Sequence, residues 1–95
     1  AFASVVLGIS RILGSASLME RKFGRYGLTE RLGEIPPDDL NPHGGAIALR
    51  HPVGVSGLRL AMTSLFELKR RNAERALISA CVGGGQGVAM ILVRK

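Results

Sequence analysis

A chain of 95 residues makes one domain or part of one, and at this size roughly 60–65% of the unfolded surface is buried on folding. With 46% hydrophobic residues it is rich in apolar surface for a chain that must cover itself, and it is expected to be a fragment of something larger. The net charge of +6 raises a nucleic-acid interface, but the basic residues are dispersed and the four aromatics do not interleave with arginines, so base stacking is not supported.

In chain order, Phe2, Val5, Val6, Ile9 and Leu13 fall at helical spacing and Gly14 ends the pattern, which predicts a helix over 3–13. Ala1 opens directly inside that pattern. The run lacks a basic leader and a small-residue cleavage site, so it is not a signal peptide. No segment approaches the roughly 20 apolar residues that span a bilayer. Residues 15–40 are mixed. Leu18 to Phe23 predicts a short helix, and Glu34-Ile35-Pro36-Pro37-Asp38-Asp39 must be extended or turn. Asn41-Pro42-His43-Gly44-Gly45 is a turn, with His43 a polar turn residue given no role. Ala46 to Leu49 predicts a short buried segment.

His51-Pro52 then precedes a long helical pattern, and Pro52 suits a helix entry because its missing N–H is an orphan there anyway. Between Val55 and Arg71, Ser56, Arg59, Thr63, Glu67 and Arg70 form one polar stripe and most other positions are apolar. So narrow a stripe predicts a mostly buried helix, roughly 25 Å long. Lys69-Arg70-Arg71, the only dense basic cluster, complements the dipole at its C-terminal end.

Two apolar runs, Ala76 to Ala80 and Val88 to Val93, flank Cys81-Val82-Gly83-Gly84-Gly85-Gln86-Gly87. Apolar runs of strand length joined by glycines predict a buried hairpin. Because its strands are apolar on both faces, it is expected in the middle of a layered sheet whose other strands are missing from this chain. The glycine run is not a dinucleotide loop, since Gly-x-Gly-x-x-Gly from Gly83 would need glycine where Val88 stands. Nor is it a phosphate loop, since Gln86-Gly87-Val88 lacks Gly-Lys-Ser/Thr. Cys81 is the single cysteine, which rules out an internal disulfide and points to a reducing compartment. A lone cysteine is usually a small buried hydrophobe, and a lone histidine is usually structural. A thiol bordering a glycine turn, together with an imidazole at the start of a helix whose N–H groups point outward, makes an acid/base pair around an acyl oxygen.

Asn41-Pro42-His43-Gly44-Gly45-Ala46-Ile47-Ala48-Leu49-Arg50-His51-Pro52-Val53-Gly54, followed by Ser56-Gly57-Leu58-Arg59, resembles the Gly-His-Pro region of thiolases. Cys81 to Gly87 matches their Cys-x-Gly-Gly-Gly-x-Gly motif, and Ala1-Phe2-Ala3 is similar to the tail of their Asn-Glu-Ala-Phe motif. The resemblance implies an α/β chain, the C-terminal portion of an αβαβα layered fold: helix, irregular segment, buried helix and C-terminal β-hairpin. Residues 1–95 would then be a partial C-terminal domain, with the N-terminal domain and the nucleophilic cysteine outside it and the chain by itself inactive. Leu13-Gly14-Ser15 and Leu32-Gly33-Glu34-Ile35 resemble the thiolase subunit of fatty-acid β-oxidation complexes.

The resemblance also implies roles. His51 would activate the nucleophilic cysteine and help hold the thioester oxygen. Cys81 would move the proton of the departing enolate carbon and exchange one with the CoA sulfur. The Gly83 N–H would join His51 in an oxyanion hole, and Phe2 would line the pantetheine channel. Coenzyme A is implied as a substrate, with no cofactor or metal. The first expected function is 3-ketoacyl-CoA thiolysis in fatty-acid β-oxidation. The alternatives are biosynthetic acetoacetyl-CoA formation and a non-catalytic acyl-CoA-binding or subunit-interaction piece. Family habit implies a homodimer or tetramer, with a β-oxidation partner subunit possible, in bacterial cytoplasm or the mitochondrial matrix. One departure stands out: Arg50 occupies the glycine position of Gly-His-Pro.

Overall fold

The computed structural model describes residues 2–95, so Ala1, which opens the Ala1-Phe2-Ala3 match, lies outside the described residues. The chain forms two compact units, one ending at Arg50 and one spanning His51–Lys95. No single helix among the described residues is long and apolar enough to cross a membrane.

In the first unit, α1 spans Ala3–Leu13, the limits its apolar spacing predicts. Gly14 closes it by donating its N–H to Ser10 O at 3.2 Å. The next helix, α2 (Ala16–Phe23), starts at Ser15, whose hydroxyl accepts the Leu18 N–H at 3.4 Å. An N-cap of this kind satisfies one of the helix's orphan donors. Met19 of α2 is fully buried. The irregular segment that follows returns to α1: the N–H groups of Leu32 and Gly33 both donate to Leu13 O, at 2.9 and 3.2 Å. The double-proline stretch is extended at Pro36 and then makes one 3₁₀ turn, Pro37–Asp39, in keeping with its sequence.

Residues 46–49 depart from expectation. They belong to a five-residue helix, α3 (Gly45–Leu49), and Ile47 and Leu49 are about half exposed. Its entry needs backbone that glycine supplies freely, with φ +94 at Gly44 and +56 at Gly45.

The second unit is a helix laid on a hairpin. Helix α4 spans Ser56–Arg71, so Pro52 stands outside it rather than at its entry. Its last turn carries Lys69, Arg70 and Arg71. Glu67 pairs with Arg70 at 2.6 Å and also with Arg71. The hydrogen bonds that Arg70 donates to Glu67, helped by the carboxylate's charge, raise the Arg70 pKa above the ordinary value. The helix ends at Asn72 in the left-handed region (φ 53). Ala73 N–H there donates to Leu68 O and Asn72 N–H to Lys69 O, the paired bonds of a Schellman close. That close turns the chain directly into β1.

Strands β1 (Arg75–Val82) and β2 (Gln86–Val93) pair antiparallel, with Cys81 opposite Gly87 and Val82 opposite Gln86. Gly83-Gly84-Gly85 makes the loop, and the positive φ of Gly84 (+77) and Gly85 (+75) explains the glycines. Along β1, Ala76, Ile78 and Ala80 are half-buried while Arg75, Leu77, Ser79 and Cys81 are exposed. Since strand side chains alternate between faces, α4 covers the Ile78 face. A cleft of about 170 Å³ remains there, lined by Gly57, Leu60, Ile78, Ala80, Val88 and Met90 among others.

Burial within this unit is one-sided. The hairpin is not buried on both faces: Leu77 and Ile91 are two-thirds exposed. Nor is α4 mostly buried, because Leu58 and Phe66 are equally open and Leu68 is its one buried apolar side chain. A two-stranded sheet covers one stripe of a helix and leaves the rest to solvent.

Candidate active site

The loop His51-Pro52-Val53-Gly54-Val55 carries the imidazole. Val55 N–H donates to Pro52 O at 3.3 Å, and Gly54 takes φ +77, so the chain reverses on itself just before α4 begins. The reversal carries Ser56, the first residue of α4, back toward His51. Nδ1 of His51 and Oγ of Ser56 are 2.5 Å apart, and the Ser56 hydroxyl donates to the Pro52 carbonyl at 3.1 Å. Ser56 is 6% exposed, whereas His51 is open to solvent. His51 thus meets the start of α4 through the Ser56 side chain. The polar stripe read from sequence had put Ser56 on the solvent side. Its identity as a hydroxyl five positions after a loop histidine, beyond a glycine turn, was the available signal.

Cys81 is a free, exposed thiol one residue before the end of β1, on the sheet face away from α4. Gly83 follows at the loop, and no atom lies within 4 Å of the place a Cβ would occupy. The topology puts these residues at one end of the unit. α4 runs down the hairpin for about 24 Å, turns at Asn72, and β1 returns over a similar length. The N-terminal part of α4 (Gly57, Leu60) accordingly lies beside Ile78, Ala80 and Val88, toward the glycine tip. His51 precedes α4 and Ser56 opens it at that end, and Cys81 lies near the end of β1 with Gly83 just beyond it. Phe2, expected to line a substrate channel, stands just before α1 in the first unit and is 67% exposed.

Arg50 sits at φ 70, ψ 175, a region that essentially only glycine occupies and that costs any other residue about 1–3 kcal/mol. The glycine of Gly-His-Pro has a backbone reason, and Arg50 violates it. Arg50→Gly should stabilise the folded protein by about 1 kcal/mol net, after the larger chain entropy of glycine is subtracted. An upward shift of the urea midpoint at unchanged slope is the measurement.

A family model described as "Thiolase, C-terminal domain" matches residues 1–94. The chain belongs to the thiolase family. Its relatives include the 3-oxoadipyl-CoA/3-oxo-5,6-dehydrosuberyl-CoA thiolase of Escherichia coli strain K12, 45% identical over 99% of this chain. The acetyl-CoA acetyltransferase of Chromobacterium violaceum is 39% identical over 99% of the chain. That of Cupriavidus necator is 54% identical over 59% of the chain. The chain spans 19% of the length of the first two and 14% of the third. No solved structure matches it. The helices and two-stranded antiparallel sheet described above are consistent with a fragment of the α/β thiolase C-terminal domain.

Proposed function

We propose that this chain supplies the second half of an active site in an acyl-CoA C-acyltransferase that cleaves 3-ketoacyl-CoA with CoA. The observation that supports the reading is the match to the thiolase C-terminal domain along residues 1–94, joined by a topology in which β1 returns toward the end of the unit where α4 begins.

In this reading His51 takes the proton of a nucleophilic cysteine supplied by the rest of the protein. The thiolate adds to the 3-keto carbon, and the oxyanion rests on His51 and the Gly83 N–H, each such donor being worth roughly 10²–10³ in rate. The bond between C2 and C3 then breaks. Cys81 gives its S–H proton to the enolate carbon, releasing acetyl-CoA, and regains a proton from the thiol of the incoming CoA. Attack by that CoA sulfur frees the shortened acyl-CoA. Phe2 lines the channel for the pantetheine arm. The loop glycines suit the task because bare backbone lets a thioester come close to an amide.

Degradative thiolysis of fatty acyl substrates is the first assignment, supported by the Leu13-Gly14-Ser15 and Leu32-Gly33-Glu34-Ile35 resemblance. Relatives named acetyl-CoA acetyltransferase support the biosynthetic direction as the second reading. The experiment is a substrate panel on the intact protein: acetoacetyl-CoA, long-chain 3-ketoacyl-CoA and 3-oxoadipyl-CoA, each with CoA. The proposal expects kcat/KM to rise with aliphatic chain length. Activity confined to acetoacetyl-CoA or to the dicarboxylic substrate would reassign the specificity, and no thiolysis of any would remove the enzymatic reading.

A further inference from the structure

We infer that Ser56 is a positioning residue that fixes the tautomer of His51, leaving Nε2 as the nitrogen that does the chemistry. A serine hydroxyl has one proton to give and lone pairs to receive with. Ser56 directs its proton at the Pro52 carbonyl, 3.1 Å away. That carbonyl can only accept, so both contacts are hydrogen bonds at once only when Ser56 donates to it. The Ser56 oxygen must then be the acceptor toward the ring nitrogen 2.5 Å away, and Nδ1 of His51 carries the proton. In a neutral imidazole the other nitrogen is then the unprotonated one. Burial reinforces the arrangement. Ser56 is 6% exposed, so water competes poorly for its hydroxyl, and the Gly54 turn sets the reach.

The inference rests on the thiolase reading proposed above and orders the two tasks given there to one imidazole. With Nδ1 occupied, both fall to Nε2 in sequence. Nε2 first uses its lone pair to take the proton from the nucleophilic thiol, giving thiolate and imidazolium. Once protonated, the same Nε2–H donates to the oxygen that turns anionic as the thiolate adds. The opposite tautomer would present an N–H to the thiol and block the first step.

The test uses the intact protein with ¹⁵N-histidine labelling, His51→Gln serving to assign the resonance. At a pH where the imidazole is neutral, long-range proton–nitrogen correlations should give a protonated Nδ1 and an unprotonated Nε2 for His51. The reverse pattern overturns the inference, whether or not the protein is a thiolase. Ser56→Ala should lose the single-tautomer signature and slow acyl-enzyme formation roughly 10-fold, the worth of a hydrogen bond of ordinary strength. Ser56→Thr, which keeps the hydroxyl, should restore both. Acylation of Ser56→Ala at the wild-type rate overturns the inference while leaving the thiolase reading intact. A wild-type protein with no thiolysis, yet with the expected tautomer, fails the functional reading alone.

Discussion

Replacing Cys81 with alanine in the intact protein is expected to lower kcat for thiolysis roughly 10²–10⁴-fold, the usual contribution of a positioned proton carrier. The effect should be chemical rather than structural. Within this chain Cys81 is exposed and sits opposite Gly87, and losing its sulfur leaves the strand pairing in place. Unfolding midpoints should therefore stay close to wild type while turnover collapses. The loss should fall on cleavage of the 3-ketoacyl-CoA and on condensation, where a carbon must gain or lose a proton, and weigh less on acylation by acetyl-CoA, where the CoA sulfur can leave as a thiolate. Steady-state kcat together with mass spectrometry of the acylated protein separates the two.

His51→Ala should have a different signature of at least equal size, a fall of roughly 10³-fold or more, because one side chain supplies both the base and an oxyanion donor. Here acylation itself should fail, so no acyl-enzyme accumulates on mixing with acetyl-CoA. The cost to folding should again be small. His51 is exposed, and its removal leaves Ser56 still bonded to the Pro52 carbonyl at 3.1 Å. Stopped-flow measurement of acylation, rather than turnover alone, is the informative assay.

What the sequence made legible is the repeating part of the structure. The 3.6-residue spacing of Phe2, Val5, Val6, Ile9 and Leu13 set the limits of α1. The two apolar runs around Gly83-Gly84-Gly85 set the hairpin, because glycine has a physical reason to stand where φ is positive. Ile47 and Leu49 misled: they sit in a helix too short for periodicity to reveal it. Leu58, Phe66, Leu77 and Ile91 are a different case. Their apolar character reports what each face is built to meet, whereas the exposure of each depends on which elements are there to meet it. Of the candidate site, His51, Cys81 and Gly83 could be named from motif resemblance, with no geometry attached. Ser56 could not, since hydropathy places a serine on the outside, and only the turn at Gly54 shows that its hydroxyl is spent inside on His51 and Pro52. Arg50 was visible as a departure, but its backbone cost appears only with φ 70 and ψ 175.

The most direct test of the proton role given to Cys81 is hydrogen–deuterium exchange at the methyl group of acetyl-CoA, followed in D₂O with the intact protein and its Cys81→Ala variant. Wild type should incorporate deuterium. The variant should form acyl-enzyme from acetyl-CoA yet leave the methyl protons in place. Deuterium uptake by Cys81→Ala at the wild-type rate would contradict the account.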